Sequence, residues 1–226
     1  MIVAIDGPAA SGKSTAAIGV AKALNITHLD TGAMYRAITY GLLKNKIEFT
    51  DLDAVEAYLS SVDLKFFKKN KITKLLLNDS DITENIRSNN INENVSEVSA
   101  IKIVRDFMVK FQREMSCDID CVLEGRDIGT VVCPNADVKI FVDADNNVRA
   151  KRRVKQFAEQ NLKMSYSEVL ADLNKRDEQD RNRKIAPMIA SKSALLLNTS
   201  NMTVKQSLDI VILKINAELK KISLNS

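Results

Sequence analysis

Histidine and cysteine are scarce in this sequence of 226 residues, which contains one histidine, His28, and three cysteines. Cys117 and Cys121 lie four residues apart, but no second cysteine pair and no neighbouring histidine completes a zinc-binding set. The odd number of cysteines, with Cys133 as the third, also argues against a disulfide framework. We therefore expect no zinc site and a reducing, cytoplasmic location.

Long hydrophobic runs are also missing. No apolar stretch approaches the length that crosses a bilayer. The first residues have the pattern of a core strand that leads into a glycine loop, which is not the pattern of a signal peptide. We therefore expect no membrane partner.

Positive charge is unevenly distributed along the chain, whose formal net charge is +4. Residues 149–184 contain eleven Lys and Arg against six Asp and Glu, so this segment carries the whole excess. Aromatic side chains are sparse there, whereas a binder of single-stranded nucleic acid needs stacking platforms. We expect this segment to meet substrate phosphates, with no nucleic-acid partner. The alternative from another functional class is a nucleotide-dependent regulator or RNA-binding protein that docks through this segment.

A glycine-rich loop follows the apolar run of residues 2–5 and precedes an alanine-rich helical segment. Gly7 and Gly12, followed by Lys13 and Ser14, fit the phosphate-binding loop, whose backbone N–H groups surround a phosphate chain. Lys13 would add positive charge at the β- and γ-phosphates, and the Ser14 hydroxyl can ligate Mg²⁺. The pattern therefore predicts a binding site for a nucleoside triphosphate.

Apolar runs of strand length alternate with amphipathic helical segments along the chain. The alternation predicts an α/β fold whose parallel sheet is covered by helices on both faces. Alternating polar and apolar residues within 62–87 interrupt it and predict a small antiparallel sheet. The pattern of residues 94–114 predicts one long helix. Core strands are expected at residues 2–5, 119–123, 138–142 and 194–198, with a strand end or turn at 28–32.

Polar residues cluster where two of these strands end. One cluster spans residues 30–36, and the other spans 124–130, where an acid, an arginine and an aspartate lie among glycines. Ligands bind at the carboxyl ends of parallel strands, so both clusters are expected to belong to the site. Thr31 could equally cap the helix that follows it. Arg36 stands near the end of that helix's first turn, from which it could reach a phosphate.

Arg176, Asp180 and Arg183 lie at the spacing i, i+4 and i+7, which predicts one shared helix face. A solvated helix laced with ion pairs is the ordinary explanation of such a charge run. Arginine outnumbers lysine in residues 175–183, however, and its planar fork matches phosphate oxygens. An arginine-rich segment after the fourth core strand suits a lid that excludes water during phosphoryl transfer. The chain lacks the guanine-reading Asn-Lys-x-Asp, so a small-molecule kinase is favoured over a switch GTPase.

Taken together and in order, six motifs resemble those of the bacterial-type cytidylate kinases over essentially the whole chain. They are Ile5 to Pro8, Leu29 to Arg36, Ile82 to Arg87, Gly125 to Thr130, Lys139 to Ala144, and Arg176-Asp177 through Asp180–Arg183 to Ala186-Pro187. The resemblance implies transfer of the γ-phosphate of ATP, with Mg²⁺, to CMP or dCMP. It also implies a monomer. Another small acceptor, such as UMP or AMP, is the alternative within the kinases.

The resemblance further implies a P-loop kinase fold in three layers, built on a central five-stranded parallel sheet. The core is expected at about residues 1–60, 88–148 and 186–226. An acceptor-binding insert, the small antiparallel sheet, is expected at about 61–87, and a helical lid at about 149–185.

Site residues follow from the resemblance position by position. ATP would be held by Gly7, Pro8, Ala9, Ala10, Ser11, Gly12, Lys13, Ser14 and Thr15. The acceptor nucleotide would be held by Thr31, Tyr35, Arg36, Ser96, Arg105, Arg126, Asp127, Arg176, Asp180 and Arg183. Among these, Ser96, Arg105 and Asp127 match positions that read the cytosine edge. We expect Lys13, Arg126, Arg176 and Arg183 to be the catalytic residues, since they bring positive charge to the transferred group. Glu124 stands where the family also has an aspartate.

Overall fold

The structure, a computed structural model, describes residues 1–69, 72–159 and 162–225. Asn70, Lys71, Gln160 and Asn161, which the predicted insert and lid include, lie outside the described residues. The chain divides into two compact units, each described by itself below. The core unit comprises Met1–Asp30 and Met115–Ser226, and the smaller unit comprises Thr31–Glu114.

The strands form two sheets. The predicted five-stranded parallel sheet is confirmed, with the order β2-β6-β1-β7-β8 and parallel pairing throughout. The predicted small antiparallel sheet is also confirmed, with the order β3-β4-β5. In chain order the strands are β1 (Ile2–Asp6), β2 (Thr27–Asp30), β3 (Leu64–Lys69), β4 (Ile72–Leu77), β5 (Ser80–Asp81), β6 (Cys121–Gly125), β7 (Val138–Asp143) and β8 (Leu195–Asn198).

Helices make up most of the remaining chain. A 3₁₀ turn at Asn85–Arg87 and a π-helical turn at Ile128–Val132 add to them. In chain order the helices are α1 (Lys13–Leu24), α2 (Thr31–Lys44), α3 (Leu52–Ser61), α4 (Asn89–Val98), α5 (Lys102–Ser116), α6 (Asn146–Glu159), α7 (Tyr166–Asn182) and α8 (Val204–Asn225).

The core of the larger unit explains why its middle strand, β1, is a continuous apolar run before Asp6. Val3, Ala4 and Ile5 of β1 are fully buried, as expected for the middle strand of a parallel sheet with both faces covered. Helices α1 and α8 contribute their apolar stripes to the same cluster, through residues such as Val20 and Val211. The carboxyl ends of β1 and β6 thereby lie side by side on a rigid base, with Asp6 paired to Gly125.

The predicted long helix over residues 94–114 is wrong in detail, because the structure has two helices there. Helix α4 ends at Val98 and α5 begins at Lys102. The Ser99 hydroxyl donates to the Ser96 carbonyl, and Arg105 donates through Nη1 to the Ser99 carbonyl at 3.2 Å. These bonds satisfy carbonyl groups that the interruption would otherwise leave unpaired.

Within the smaller unit, α2 packs against α4 and against β4. Gly41 of α2 meets the Tyr58 ring of α3 so closely that an added Cβ would lie 1.7 Å from the phenol oxygen. Burial raises the pKa of Tyr58 to about 12. No helix within the described ranges is long and apolar enough to cross a bilayer.

Candidate active site

The loop between β1 and α1 has the shape that a phosphate cradle requires. Gly7 and Gly12 adopt positive φ angles of 147° and 97°, a region that side chains disfavour. An added Cβ at Gly7 would lie 2.0 Å from the Val142 carbonyl oxygen of β7. Helix α1 begins at Lys13, so its first N–H groups face the loop. The nine predicted ATP-binding residues, Gly7 through Thr15, therefore form one loop and helix start.

Two buried polar side chains lie inside this loop. Ser11 is fully buried, and its hydroxyl has no hydrogen-bond partner within the described part of the chain. Lys13 is 8% exposed and donates through Nζ to the Pro8 carbonyl at 3.2 Å. Burial, reinforced by the nearby Arg126 charge, lowers the pKa of Lys13 to about 7. A bound polyphosphate would supply the negative charge that this desolvated amine lacks.

Glu124, at the end of β6, connects the loop to the neighbouring strand. It is 2% exposed, and its Oε2 accepts a hydrogen bond from the Ser14 hydroxyl. Its Oε1 lies 2.9 Å from Nε2 of His28 on β2. Ser14 itself is exposed, so two oxygen atoms that could act as metal ligands lie together at an open edge of the loop. Among the described residues, no group of three or more His, Cys, Asp and Glu side chains could hold a metal ion.

An arginine cluster forms around Asp180 of α7. Arg126 Nε donates to Asp180 Oδ2 at 2.9 Å, and Arg183 Nη1 lies 3.7 Å from Asp180 Oδ1. The i, i+4, i+7 spacing assumed a helix that includes Arg183. Helix α7 ends at Asn182, however, and Arg183 lies in non-helical backbone just after it. Arg183 nevertheless meets Asp180. Arg176 lies one turn earlier, 4.0 Å from the Asp172 carboxylate.

Asp127 precedes the π-helical turn, and the buried carboxylate of Asp6 holds that turn in place. Asp6 accepts hydrogen bonds from the N–H groups of Ile128 and Gly129, each at 2.8 Å. Burial raises the pKa of Asp6 to about 6 although these bonds oppose the shift, and the nearby Asp127 charge adds to the rise. Asp6 therefore fixes the backbone beside Arg126 and Asp127 from the strand that also carries the phosphate loop.

The raised pKa of Asp6 makes a testable contribution to stability. Because folded Asp6 binds its proton more tightly than the unfolded chain, its contribution declines as the pH rises from about 4 to about 6. Asp6→Asn does not titrate, although it loses one hydrogen-bond acceptor at every pH. We expect the stability of Asp6→Asn relative to wild type to improve by on the order of 1 kcal/mol between about pH 5 and about pH 7.5.

Urea denaturation at the two pH values measures this change. Asp209→Asn, an exposed carboxylate on α8, is the matched control and should show no such trend. A stability difference between wild type and Asp6→Asn that is the same at both pH values would contradict the assignment of the titration to Asp6.

The other predicted acceptor-binding residues lie in the smaller unit. Thr31 is buried as the first residue of α2, Tyr35 follows one turn later, and Arg36 is half-buried. Arg105 is 2% exposed, and its guanidinium lies 5.7 Å from the Tyr35 ring centroid. Ser96 is half-buried on α4. Arg105 is therefore buried against an aromatic ring, whereas the sequence alone would suggest a charge on an exposed helix surface.

Two connections between the arginine-rich helices and the loop escaped the sequence. Arg149 is fully buried, pairs with Asp177 at 2.5 Å and donates to the Ala9 carbonyl at 3.2 Å. Arg152 donates to the Thr199 carbonyl at 2.7 Å, and the Thr199 hydroxyl donates to the Ser11 carbonyl at 2.7 Å. Charged residues on a helix normally suggest a solvated face, so no sequence signal separates the buried Arg149 and the half-buried Arg152 from exposed arginines.

Comparison with known proteins gives matches along nearly the whole chain. A family model described as cytidylate kinase matches residues 3–217. A protein named cytidylate kinase from Fusobacterium nucleatum is 47% identical over 215 residues, which are 95% of this chain and 97% of the relative. A protein of the same name from Clostridium botulinum is 42% identical over 207 residues, which are 92% of this chain and 94% of the relative.

Solved structures with low sequence identity share the fold. TT1252 from Thermus thermophilus has a TM-score of 0.51 at 17% identity, with 97% of each chain covered. A protein from Eubacterium ventriosum has a TM-score of 0.52 at 12% identity, with 96% of this chain and 98% of that chain covered. At such identities the similarity concerns the fold alone.

Proposed function

The chain belongs to the cytidylate kinase family, and on that premise we propose that it transfers the γ-phosphoryl group of ATP to CMP and dCMP, giving the diphosphates. One observation within the core unit carries the proposal. The phosphate loop and the Arg126-Asp127 pair follow neighbouring parallel strands, with Asp6 of β1 paired to Gly125 of β6. A triphosphate on the loop and an acceptor phosphate at Arg126 would then meet at one sheet edge.

Phosphoryl transfer between nucleotides needs positioned charge more than proton transfer. The attacking oxygen belongs to a phosphate monoester that is largely ionised near neutral pH, since its second pKa is about 6. The protein's task is to align the two phosphates and to neutralise the charge that spreads over the transferred group. We assign this task to Lys13, Arg126, Arg176 and Arg183.

The oxygen donors beside the loop fit Mg²⁺, which prefers hydroxyl, carboxylate and phosphate oxygens over nitrogen or sulfur ligands. Ser14 would hold the ion through its oxygen, while its hydroxyl donates a hydrogen bond to the Glu124 carboxylate. When bound with the β- and γ-phosphates, Mg²⁺ supplies charge neutralisation and fixes their orientation. Lys13 would add a further positive charge from the inside of the loop.

Recognition of the acceptor base is assigned to Asp127, Ser96 and Arg105. Cytosine presents an amino donor and the acceptors N3 and O2, which a carboxylate, a hydroxyl and a guanidinium complement. Asp180 would accept from the ribose hydroxyls. Thr31, Tyr35 and Arg36 would complete the acceptor site, and residues 61–87 would extend it as an insert.

Exclusion of water is assigned to the helical segment of about residues 149–185, acting as a lid. The Arg149–Asp177 pair joins α6 to α7 at 2.5 Å, and Arg149 also contacts the phosphate loop through Ala9. Through these contacts of Arg149, a nucleotide bound in the loop would directly affect the position of the lid. Closing it would favour the acceptor phosphate over water as the attacking group.

We place the protein in the cytoplasm as a monomer that acts on free nucleotides. Cys117, Cys121 and Cys133 all carry free thiols, as in a reducing compartment.

A nucleotide panel tests the function. Purified protein with MgATP is expected to phosphorylate CMP and dCMP with a much higher kcat/KM than UMP or AMP, measured by coupled release of ADP. Faster turnover of AMP or UMP would overturn the choice of acceptor. Salt-dependent binding to RNA without any kinase turnover would support the docking alternative instead.

A further inference from the structure

His28 is the only histidine of the chain, and the phosphate-transfer scheme above does not use it. It lies on β2, the edge strand that pairs with β6. Its Nε2 is 2.9 Å from Glu124 Oε1. Because a carboxylate oxygen accepts and does not donate, Nε2 must carry the hydrogen of this bond. The imidazole therefore donates to Glu124.

Glu124 is thus held at both of its oxygens from two different elements. Oε1 accepts from His28 on β2, and Oε2 accepts from the Ser14 hydroxyl in the first turn of α1. The carboxylate is nearly sealed from water, with 3% of its side chain exposed, whereas the His28 side chain is 20% exposed. A buried carboxylate with two donors in fixed positions has one preferred orientation.

This orientation decides how the Ser14 hydroxyl can act. A serine hydroxyl has one hydrogen and two lone pairs. With the hydrogen directed at Glu124, both lone pairs remain available to a cation on the exposed side of the loop. If Glu124 turned away, the hydroxyl hydrogen would be free to rotate toward that side and oppose a cation.

We propose that His28 is a positioning residue of the magnesium–nucleotide site, which holds Glu124 so that Ser14 keeps its oxygen lone pairs for the metal ion. The inference rests on the proposed function only in requiring that the loop binds MgATP. In other sites, residues that orient a metal-binding side chain without touching the metal contribute about 10–100-fold to metal affinity. His28 should act on the metal-dependent part of binding and leave the metal-free part alone.

Two matched variants test the donor. His28→Phe keeps a planar ring but removes the N–H, and His28→Gln places an amide N–H₂ at about the reach of Nε2. Calorimetry gives the Kd of MgATP and, in excess chelator, the Kd of ATP alone. We expect His28→Phe to weaken MgATP binding about 10-fold with little change for ATP alone, and His28→Gln to restore most of the loss.

A double-mutant cycle with Ser14 tests whether His28 acts through the serine hydroxyl. In a Ser14→Ala background the hydroxyl is gone, so His28→Phe should have no further effect on the Kd of MgATP. Thermal unfolding of each variant checks that it folds, and His28→Leu replaces His28→Phe as the disruptive variant should the latter not fold. His28→Leu also lacks the N–H group and is expected to give the same selective loss of MgATP binding.

Three outcomes would overturn the proposal. They are equal weakening of MgATP and metal-free ATP, no weakening of MgATP in His28→Phe, or a His28→Gln variant as defective as His28→Phe. The proposed function fails in a different way. A wild-type protein that binds MgATP but leaves CMP unphosphorylated refutes the function, while the binding comparison on His28 still stands or falls by itself.

Discussion

Replacing Arg126 by methionine is expected to lower kcat with CMP by about 10³-fold, a loss typical of an arginine that stabilises a transferred phosphoryl group. The geometry gives the reason. The Nε of Arg126 is committed to Asp180 at 2.9 Å, and Nη1 reaches the Gly125 carbonyl at 3.4 Å. Nη2 makes no hydrogen bond to any described residue. One edge of the guanidinium is thus fixed by the protein while the far side is available to phosphate oxygens.

The comparison with lysine separates positive charge from geometry. Arg126→Lys retains the charge, but one ammonium group cannot both pair with Asp180 and hold a phosphate in a fork, so kcat should recover only partly. Arg181→Met removes an equal charge from an exposed position of α7, the helix that carries Asp180, and serves as the control. Rapid-quench measurement of a single turnover reports the chemical step. An unchanged rate in Arg126→Met, or an equal loss in Arg181→Met, would refute the assignment.

Strands β1 and β7 of the core could be predicted because their burial leaves runs made mostly of apolar residues. The runs at residues 2–5 and 138–142 match β1 and β7 to within one residue. The segment at 28–32 was ambiguous because β2 is an edge strand carrying threonine, histidine and aspartate. Its identity as a strand depends on pairing with β6, which is distant in sequence.

The division between α4 and α5 shows the limit of periodicity. Val98 and Val104 are both buried, so the apolar pattern continues across the break at 99–101 as if one helix ran through. What stabilises the break is the Arg105 guanidinium bonded to the Ser99 carbonyl. The spacing of apolar residues identifies the buried face of a helix, but it does not identify which backbone carbonyl a buried polar side chain will contact.

The same limit applies to the candidate site. The glycine loop was predictable because its spacing encodes the backbone conformation itself, as the positive φ angles of Gly7 and Gly12 show. Asp6 was part of a motif, yet its bonds to Ile128 and Gly129 span more than a hundred residues. The sequence indicates of His28 only that it is too isolated to complete a zinc site. These hydrogen bonds depend on which strands are neighbours in the sheet, and no local stretch of the sequence encodes the strand order.

Replacing Asp127 by alanine is expected to lower the selectivity for CMP over UMP by about 10²-fold, since a hydrogen bond to a charged group is worth roughly 1.5–3 kcal/mol. Cytosine offers an amino group that donates a hydrogen bond to a carboxylate, whereas uracil presents a carbonyl oxygen, an acceptor, at the same place. The backbone of Asp127 should survive the change. Its carbonyl accepts from the N–H groups of Val131 and Val132, and these bonds do not involve the side chain.

Asparagine at position 127 sharpens the test, because its amide can donate to the uracil carbonyl as well as accept from the cytosine amino group. We therefore expect Asp127→Asn to use UMP better than Asp127→Ala does. Competition between CMP and UMP in one reaction gives the ratio of kcat/KM directly, and the KM for ATP should change little. Asp209→Ala removes a carboxylate from exposed α8 and should leave the ratio unchanged. Equal losses for CMP, UMP and ATP would show that Asp127 supports the fold of the site and does not read the base, since base reading must distinguish an amino donor from a carbonyl acceptor.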